Sequence, residues 1–259
     1  MGKAFVIDLA LCNGCRNCQI GCKDEHCGNT WLPYAAEQPE IGQFWMNVKE
    51  EERGAGSHVR VAYTPVIGAQ TAAIREFAPE ALMEREDGLI VIDPEKAKGR
   101  KDIADKFEGV YWNEELQIPQ GCTGCAHLLD DENSPIRIPR CVDNCSVGAI
   151  QFGDEADLDL EGTEKLDEAS FVYYKNMPKT FIAATVFDPT EMEIVEGAKV
   201  TAVSADDTFE AETDIWGDFW FKEIPAAEYK VTIEKDGKKV ELDVSTLEKD
   251  QGLPDIALA

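Results

Sequence analysis

The sequence predicts an α+β protein in which a small mixed domain built around cysteines precedes an all-β domain. Three observations predict it. The cysteines fall in two tight runs, five within residues 12–27 and four within residues 122–145, with none between or after. Each run lies beside a short, alternating, β-branched stretch of strand type. From residue 178 onward, apolar and polar residues alternate between turns rich in Asp and Gly, as antiparallel strands do. The 259 residues leave room for two or three domains and a real core.

Composition narrows the function classes. There are 25 Lys and Arg against 51 Asp and Glu, a formal net charge of −26. A surface of that sign repels nucleic acid and anionic membrane, so neither is expected as a partner. It reads as a solvating surface, or as the complement of a basic docking partner. No apolar run approaches the ~20 residues of a membrane helix. The start, MGKAFVIDLALCNGC, lacks the basic beginning and small-residue cleavage site of a signal peptide. Val6 breaks the myristoylation pattern that Gly2 opens. The expected location is the cytoplasm. A disulfide scaffold would spread its cysteines through a small secreted chain, whereas two tight clusters favour metal binding in a reducing compartment.

Spacing selects the metal. In CNGCRNCQIGC, Cys12, Cys15, Cys18 and Cys22 are separated by two, two and three residues. Zinc sites usually offer two ligand pairs across a loop. This run is instead that of bacterial ferredoxins: three cysteines wrap three corners of a 4Fe–4S cube, and the fourth leaves on the next helix to serve the other of two clusters. The second run supplies Cys122, Cys125, Cys141 and Cys145, with the fifteen residues AHLLDDENSPIRIPR where the usual gap is two. Their Pro, Asp and Asn content marks an inserted surface loop. The expected ligation is crossed. Cys12, Cys15, Cys18 and Cys145 hold one cluster, Cys122, Cys125, Cys141 and Cys22 hold the other, and Cys27 is left as a free thiol. Two zinc sites, or one self-contained cluster per run, are the alternatives. KAFVIDL reads as a strand before the first run and VGAIQFG as a strand after the second, with short helical stretches following Cys18 and Cys145. Lys23 and Ser146 stand where such runs usually place Pro, a residue that sets a turn and excludes solvent but is not a ligand.

The order of a first cysteine run, a middle segment and then CTGCAHLLDD…PRCVDNC resembles the iron–sulfur β subunits of molybdopterin oxidoreductases of the dimethyl-sulfoxide-reductase type. The phrases MNVKEEERG, REDGLIVIDPEKAKG, VYWNEE and VYYKN are similar to the small subunits of pyrogallol–phloroglucinol transhydroxylase and its relatives, such as resorcinol hydroxylase. That resemblance implies a ferredoxin-like domain over 1–60 and 111–155 with two 4Fe–4S clusters. It implies a large partner subunit carrying molybdopterin with Mo or W, where the chemistry on a phenolic ring takes place. In such relatives the middle segment bears further cluster ligands. Here residues 28–121 hold no cysteine, so 61–110 is expected as a degenerate ferredoxin-like segment. Within it, ALMEREDGLIVIDPEKAKGRKDIADKF reads as strand, Asp87-Gly88 turn, strand, and a helix from Pro94.

Residues 153–170 are dense in Asp and Glu and read as a linker or a solvated surface segment, and 156–177 are expected as the acidic linker between the domains. Residues 178–259 read as a small antiparallel sandwich with turns at Ala205-Asp206-Asp207, Trp216-Gly217-Asp218 and Asp236-Gly237, and resemble transthyretin-like, Ig-like modules. Trp216, Trp220 and Tyr229 offer an aromatic interface, but packing in the core or along the edges carries more weight. His26, His58 and His127 are the only histidines; His26 and His127 follow cysteines closely enough to hydrogen-bond near a cluster sulfur, but an ordinary interface or surface position carries more weight for both. No Ser–His–Asp pattern, Walker loop or Rossmann glycine motif appears. The expected function is an electron-transfer and assembly subunit with no active site of its own. The alternative is a free-standing two-cluster carrier with a binding domain attached. A carrier that must dock and leave is usually small, so the inserted loop and the sandwich favour the subunit.

Overall fold

The computed structural model describes residues 2–259. The chain forms two units: one from the stretch up to Glu50 together with Tyr63–Met177, the other from Glu51–Ala62 together with Pro178–Ala259.

The first unit is built on β1 (Lys3–Asp8), whose central residues Ala4 to Ile7 are buried. The first cysteine run leads into α1 (Asn17–His26). A ribbon follows, β2 (Met46–Ala55) and β3 (His58–Ile67), whose tip at residues 51–62 belongs to the second unit. Next come α2 (Ala72–Phe77), capped by the Thr71 side chain, and α3 (Lys101–Lys106). The short pair β4 (Tyr111–Asn113) and β5 (Ile118–Gln120) delivers the chain to the second cysteine run. There α4 (Ala126–Asp130) starts directly after Cys125, and α5 (Arg140–Asp143) carries Cys141. β6 (Ile150–Asp154) returns antiparallel to β1, pairing Phe5 with Phe152, and β7 (Val172–Lys175) runs parallel on the other edge. Helices α1 and α5 meet at Gly21, where a Cβ would lie 1.7 Å from Asn144 Nδ2. Glycine there is the condition for the two cysteine-bearing helices to approach.

The structure departs from expectation in two stretches. Residues 156–177 include β7, so the acidic stretch ends as a sheet edge. The alternation of buried Val172 and Tyr174 in VYYK drives the pairing. The pair of strands read in residues 81–93 is reduced to one bridge, Leu82 to Ile92, around a turn where Gly88 takes φ 78°. The helix read from Pro94 begins only at Lys101. The Asp93 carboxylate accepts from the amides of Glu95 and Lys96 and holds a local turn, and Gly99 at φ 82° breaks the path before α3 starts.

The second unit is an all-β sandwich. Its strands are β8 (Thr180–Asp188), β9 (Glu193–Ile194), β10 (Lys199–Val203), β11 (Thr208–Glu212), β12 (Asp218–Ile224), β13 (Glu228–Lys235), β14 (Lys238–Ser245), β15 (Gln251–Gly252) and β16 (Ile256–Ala257). One sheet has the order β11-β10-β13-β14; the other gathers β12, β15, β16 and β9 on β8. Their inner faces share a core that includes Ile182, Val200, Phe219, Val231 and Ile233. Tyr229 is buried and Trp220 packs on Phe181, but Trp216 is 69% exposed at its turn rather than in the core or against an edge. His58 is buried with Nε2 3.3 Å from Asp218 Oδ1. Arg53 grips Asp250, Nε to Oδ2 at 2.5 Å and Nη2 to Oδ1 at 3.0 Å, and Asp250 also accepts the Phe181 amide. Among the described residues no helix is long and apolar enough to cross a membrane.

Candidate metal centre

Eight of the nine cysteines gather in the first unit as two adjacent groups of four. Cys12 feels the charge of Cys145 and Cys15, and Cys18 feels Cys12, Cys145 and Cys15. Cys22 feels Cys122 and Cys125, and Cys141 feels Cys125, Cys122 and Cys22. Cys18 lies within reach of both Cys22 and Cys141, so the groups are neighbours. Cys145, 123 positions on from Cys22 in the chain, thus faces the first run, while Cys22 faces the second. Cys27 stands half-buried at the C-terminal cap of α1, its amide donating to Lys23 O.

Local backbone geometry explains how the loops close. Gly14 in CNGC has φ 71° and Gly124 in CTGC has φ 63°. Space there is as restrictive as the dihedral: a Cβ on Gly14 would sit 2.5 Å from the Tyr63 ring, and one on Gly124 2.9 Å from Leu89. The turns put backbone N–H groups against sulfur. Gly124 N donates to Cys122 Sγ at 3.3 Å and Ala149 N to Cys145 Sγ at 3.2 Å.

The groups differ in exposure. Cys15 is exposed and Cys12 and Cys145 are half-buried, whereas Cys22, Cys122, Cys125 and Cys141 are all buried. Burial first, then mutual repulsion, pushes the thiols up: Cys18 to about 11, Cys125 to about 12, and Cys22 and Cys141 well above the ordinary range. Cys122 rises to about 11 by burial alone. Four thiolates so placed need a positive centre between them, and soft sulfur donors with amides aimed at them suit iron–sulfur ligation. A single zinc would draw its sulfurs to about 2.3 Å from one point. A cube instead holds its thiolates at separate corners.

A charged network surrounds the buried group. Glu25, one helical turn past Cys22, accepts from His127 Nε2 at 3.0 Å and from Arg140 Nε at 2.5 Å. Trp31 stacks on His127 with centroids 4.5 Å apart and donates Nε1 to Glu25 O at 2.8 Å. His26, 1% exposed, lies against Trp45 and edge-on to His127. Burial raises the Glu25 carboxyl, but the hydrogen bonds from Arg140 and His127 outweigh it and hold the group below its usual range. Burial pushes His26 down to about 3 and lowers His127 as well. Both histidines are therefore interior residues rather than surface ones. Glu25 and Arg140 escaped sequence reasoning, although a Glu three residues after Cys22 and an Arg directly before Cys141 are a readable signal for a pair. Gln70 escaped it too; its Nε2 donates to Cys122 O at 2.7 Å.

Residues 69–155 match the family model of the 4Fe-4S dicluster domain. The chain is 38% identical over 252 residues to the pyrogallol hydroxytransferase small subunit of Pelobacter acidigallici, covering 90% of this chain and 91% of that one. It is 26% identical over 178 residues to the B polypeptide of the anaerobic dimethyl sulfoxide reductase of Escherichia coli K12, covering 64% and 83% respectively. Over 210 residues it is 22% identical to the formate dehydrogenase subunit beta of Megalodesulfovibrio gigas, covering 75% and 93%. The chain belongs to the family of the pyrogallol hydroxytransferase small subunit, as its phrases led one to expect.

Proposed function

We propose that this chain is the electron-transfer and assembly subunit of a molybdopterin-type enzyme, carrying two 4Fe–4S clusters and no active site of its own. Cys12, Cys15, Cys18 and Cys145 hold the first cluster; Cys22, Cys122, Cys125 and Cys141 hold the second. The observation that carries this reading is the exchange of Cys22 and Cys145 between the two groups of thiols. When bound, the clusters supply one-electron transfer; the chain's thiolates anchor them, and its backbone amides stabilise the sulfur charge. Residues 61–110 are a degenerate ferredoxin-like segment, and the C-terminal unit is a transthyretin-like sandwich. The partner is a large subunit holding Mo or W, in a cytoplasmic heterodimer or higher assembly without direct membrane or nucleic-acid contact.

The named relative supports a phenolic substrate. So does the absence of thiols from residues 28–121, which leaves no ligands for a wire leading outward. Electrons are held beside the partner's cofactor or handed to a small carrier, which suits hydroxyl transfer, hydroxylation or dehydroxylation of a polyhydroxylated ring. The test is to purify the protein anaerobically with its copurifying subunit, measure iron, sulfide, Mo and W, and assay pyrogallol, resorcinol and related phenols with and without an artificial acceptor. About eight iron per chain and turnover of a phenol are expected. Close to four iron, stoichiometric zinc, or inactivity on every phenol with rapid quinol oxidation in membranes would count against it.

A further inference from the structure

The charges beside the two groups of thiols are unlike. Next to Cys15, Arg16 pairs with Glu50 at 2.5 Å, and both side chains are 43% exposed. Charges in that position are screened by water and salt. Around the second group the charges are more enclosed: the side chains of Glu25 and His127 are 8% and 5% exposed, and Arg140 is half-buried at 27%.

We propose that Glu25 and Arg140 are positioning residues whose opposed charges, the first buried and the second half-buried, set the reduction potential of the cluster held by Cys22, Cys122, Cys125 and Cys141. The proposal rests on the cluster assignment above. Glu25 sits on the helix that carries Cys22, Arg140 precedes Cys141, and His127 follows Cys125 by two. One carboxylate therefore ties together all three segments that bear the second group. Reduction adds one negative charge to a cluster. A fixed carboxylate nearby opposes that charge and a fixed guanidinium favours it, and both act more strongly where water is excluded. Trp31 excludes it on one side by lying flat on His127 at an interplanar angle of 16°. His127 contributes orientation: its Nε2 is held by the carboxylate, so its role is to fix Glu25 rather than to add charge.

A purely structural brace would behave differently. Removing either partner would loosen the same loops and move the cluster in the same direction. The opposed-charge pair predicts opposite signs, so the test compares Glu25→Gln with Arg140→Gln. Each is purified anaerobically with any accompanying subunit and titrated with dithionite under EPR at about pH 8, where carboxylates are ionised. Expected are unchanged iron, an upward shift of one cluster's midpoint in Glu25→Gln, a downward shift of the same cluster in Arg140→Gln, and no movement of the other cluster. Should Arg140→Gln lose iron, Glu25→Asp carries the comparison: it keeps the charge and stays near the wild-type midpoint while Glu25→Gln rises. Shifts of equal sign, equal shifts of both clusters, or no shift in a protein with two intact clusters would overturn the charge pair alone. A wild-type protein lacking two clusters would overturn the assignment beneath it as well.

Discussion

Replacing Cys145 by Ser removes one of four thiols from the group that contains Cys12, Cys15 and Cys18, although Cys145 belongs to the other run in sequence. The magnitude follows from the count: with two clusters of four iron each, at most half of about eight iron is lost. The structure also says which cluster survives. The second group is buried throughout, so the cluster left in Cys145→Ser is shielded from a water-soluble ferrous chelator. Cys22→Ser is the mirror experiment. It attacks the buried group and leaves the cluster beside exposed Cys15, which the chelator strips quickly. The assay is anaerobic iron and sulfide analysis, EPR of the dithionite-reduced protein, and the chelation rate of the remaining iron. If each run held its own cluster, the two variants would exchange behaviour. A fast-stripping cluster in Cys145→Ser, with a slow one in Cys22→Ser, refutes the crossing.

Cys27→Ala should leave iron content and EPR spectrum unchanged, because Cys27 lies at the cap of α1; loss of a cluster would show the assignment to be out of register. Asp250→Ala strips Arg53 of its partner and leaves the Phe181 amide unpaired, and should lower the stability of the sandwich unit by about 3 kcal/mol in urea unfolding, with an effect under half that arguing against a buried pair. His26, lowered from 6.5 to about 3 by burial, binds its proton in the unfolded chain but not in the folded one across that window. Stability should therefore fall as pH drops below 6.5, by about 1.4 kcal/mol per pH unit from this group. Urea midpoints of wild type and His26→Gln that run parallel in acid would contradict it. Gln70→Ala should make the second cluster more labile to the chelator than the first; an unaltered ratio of rates would show that the Cys122 loop stands without it.

Much of this was legible because ligands are spaced by loop geometry, and spacing survives in one dimension. The run from Cys12 to Cys22 pointed to iron–sulfur ligation, and the alternation in residues 178–259 announced the sandwich. Four features were not legible. VYYK was read into the linker although the acidic run ends at Glu168, and only pairing with β1 identifies it as a strand. The helix read from Pro94 is capped by Asp93 but ends after a single turn, since Gly99 takes φ 82° and its amide donates to Gln117 O instead of continuing the helix. Trp216 reads as interior by residue type, but it occupies the turn itself, where no neighbouring strand covers it. Glu25 and Arg140 have meaning only together, and they stand 115 positions apart in the chain.

The cysteine-free middle segment poses the remaining physical question, because it holds no ligand and yet walls both cysteine loops. Gln70 is 1% exposed, and its Nε2 donates to Ile90 O at 2.8 Å and Cys122 O at 2.7 Å while its Oε1 accepts the Ile90 amide at 3.2 Å. Each such bond contributes about 1 kcal/mol net, and each buried partner left unpaired would cost about 1–3 kcal/mol. Leu89 presses on Gly124 and Tyr63 on Gly14, so the same segment sets the curvature of both loops. Arg85 joins Asp87 to Asp130 at the end of α4, and Asp87 O accepts the Lys3 amide at the start of β1. A segment can thus be without thiols and still be required by the thiols of its neighbours, since what it supplies is a surface rather than a donor. That is also why a reading keyed to donor residues passes over Gln70, Leu89 and Tyr63: their contribution is a shape, which becomes visible only when the loops they shape are present.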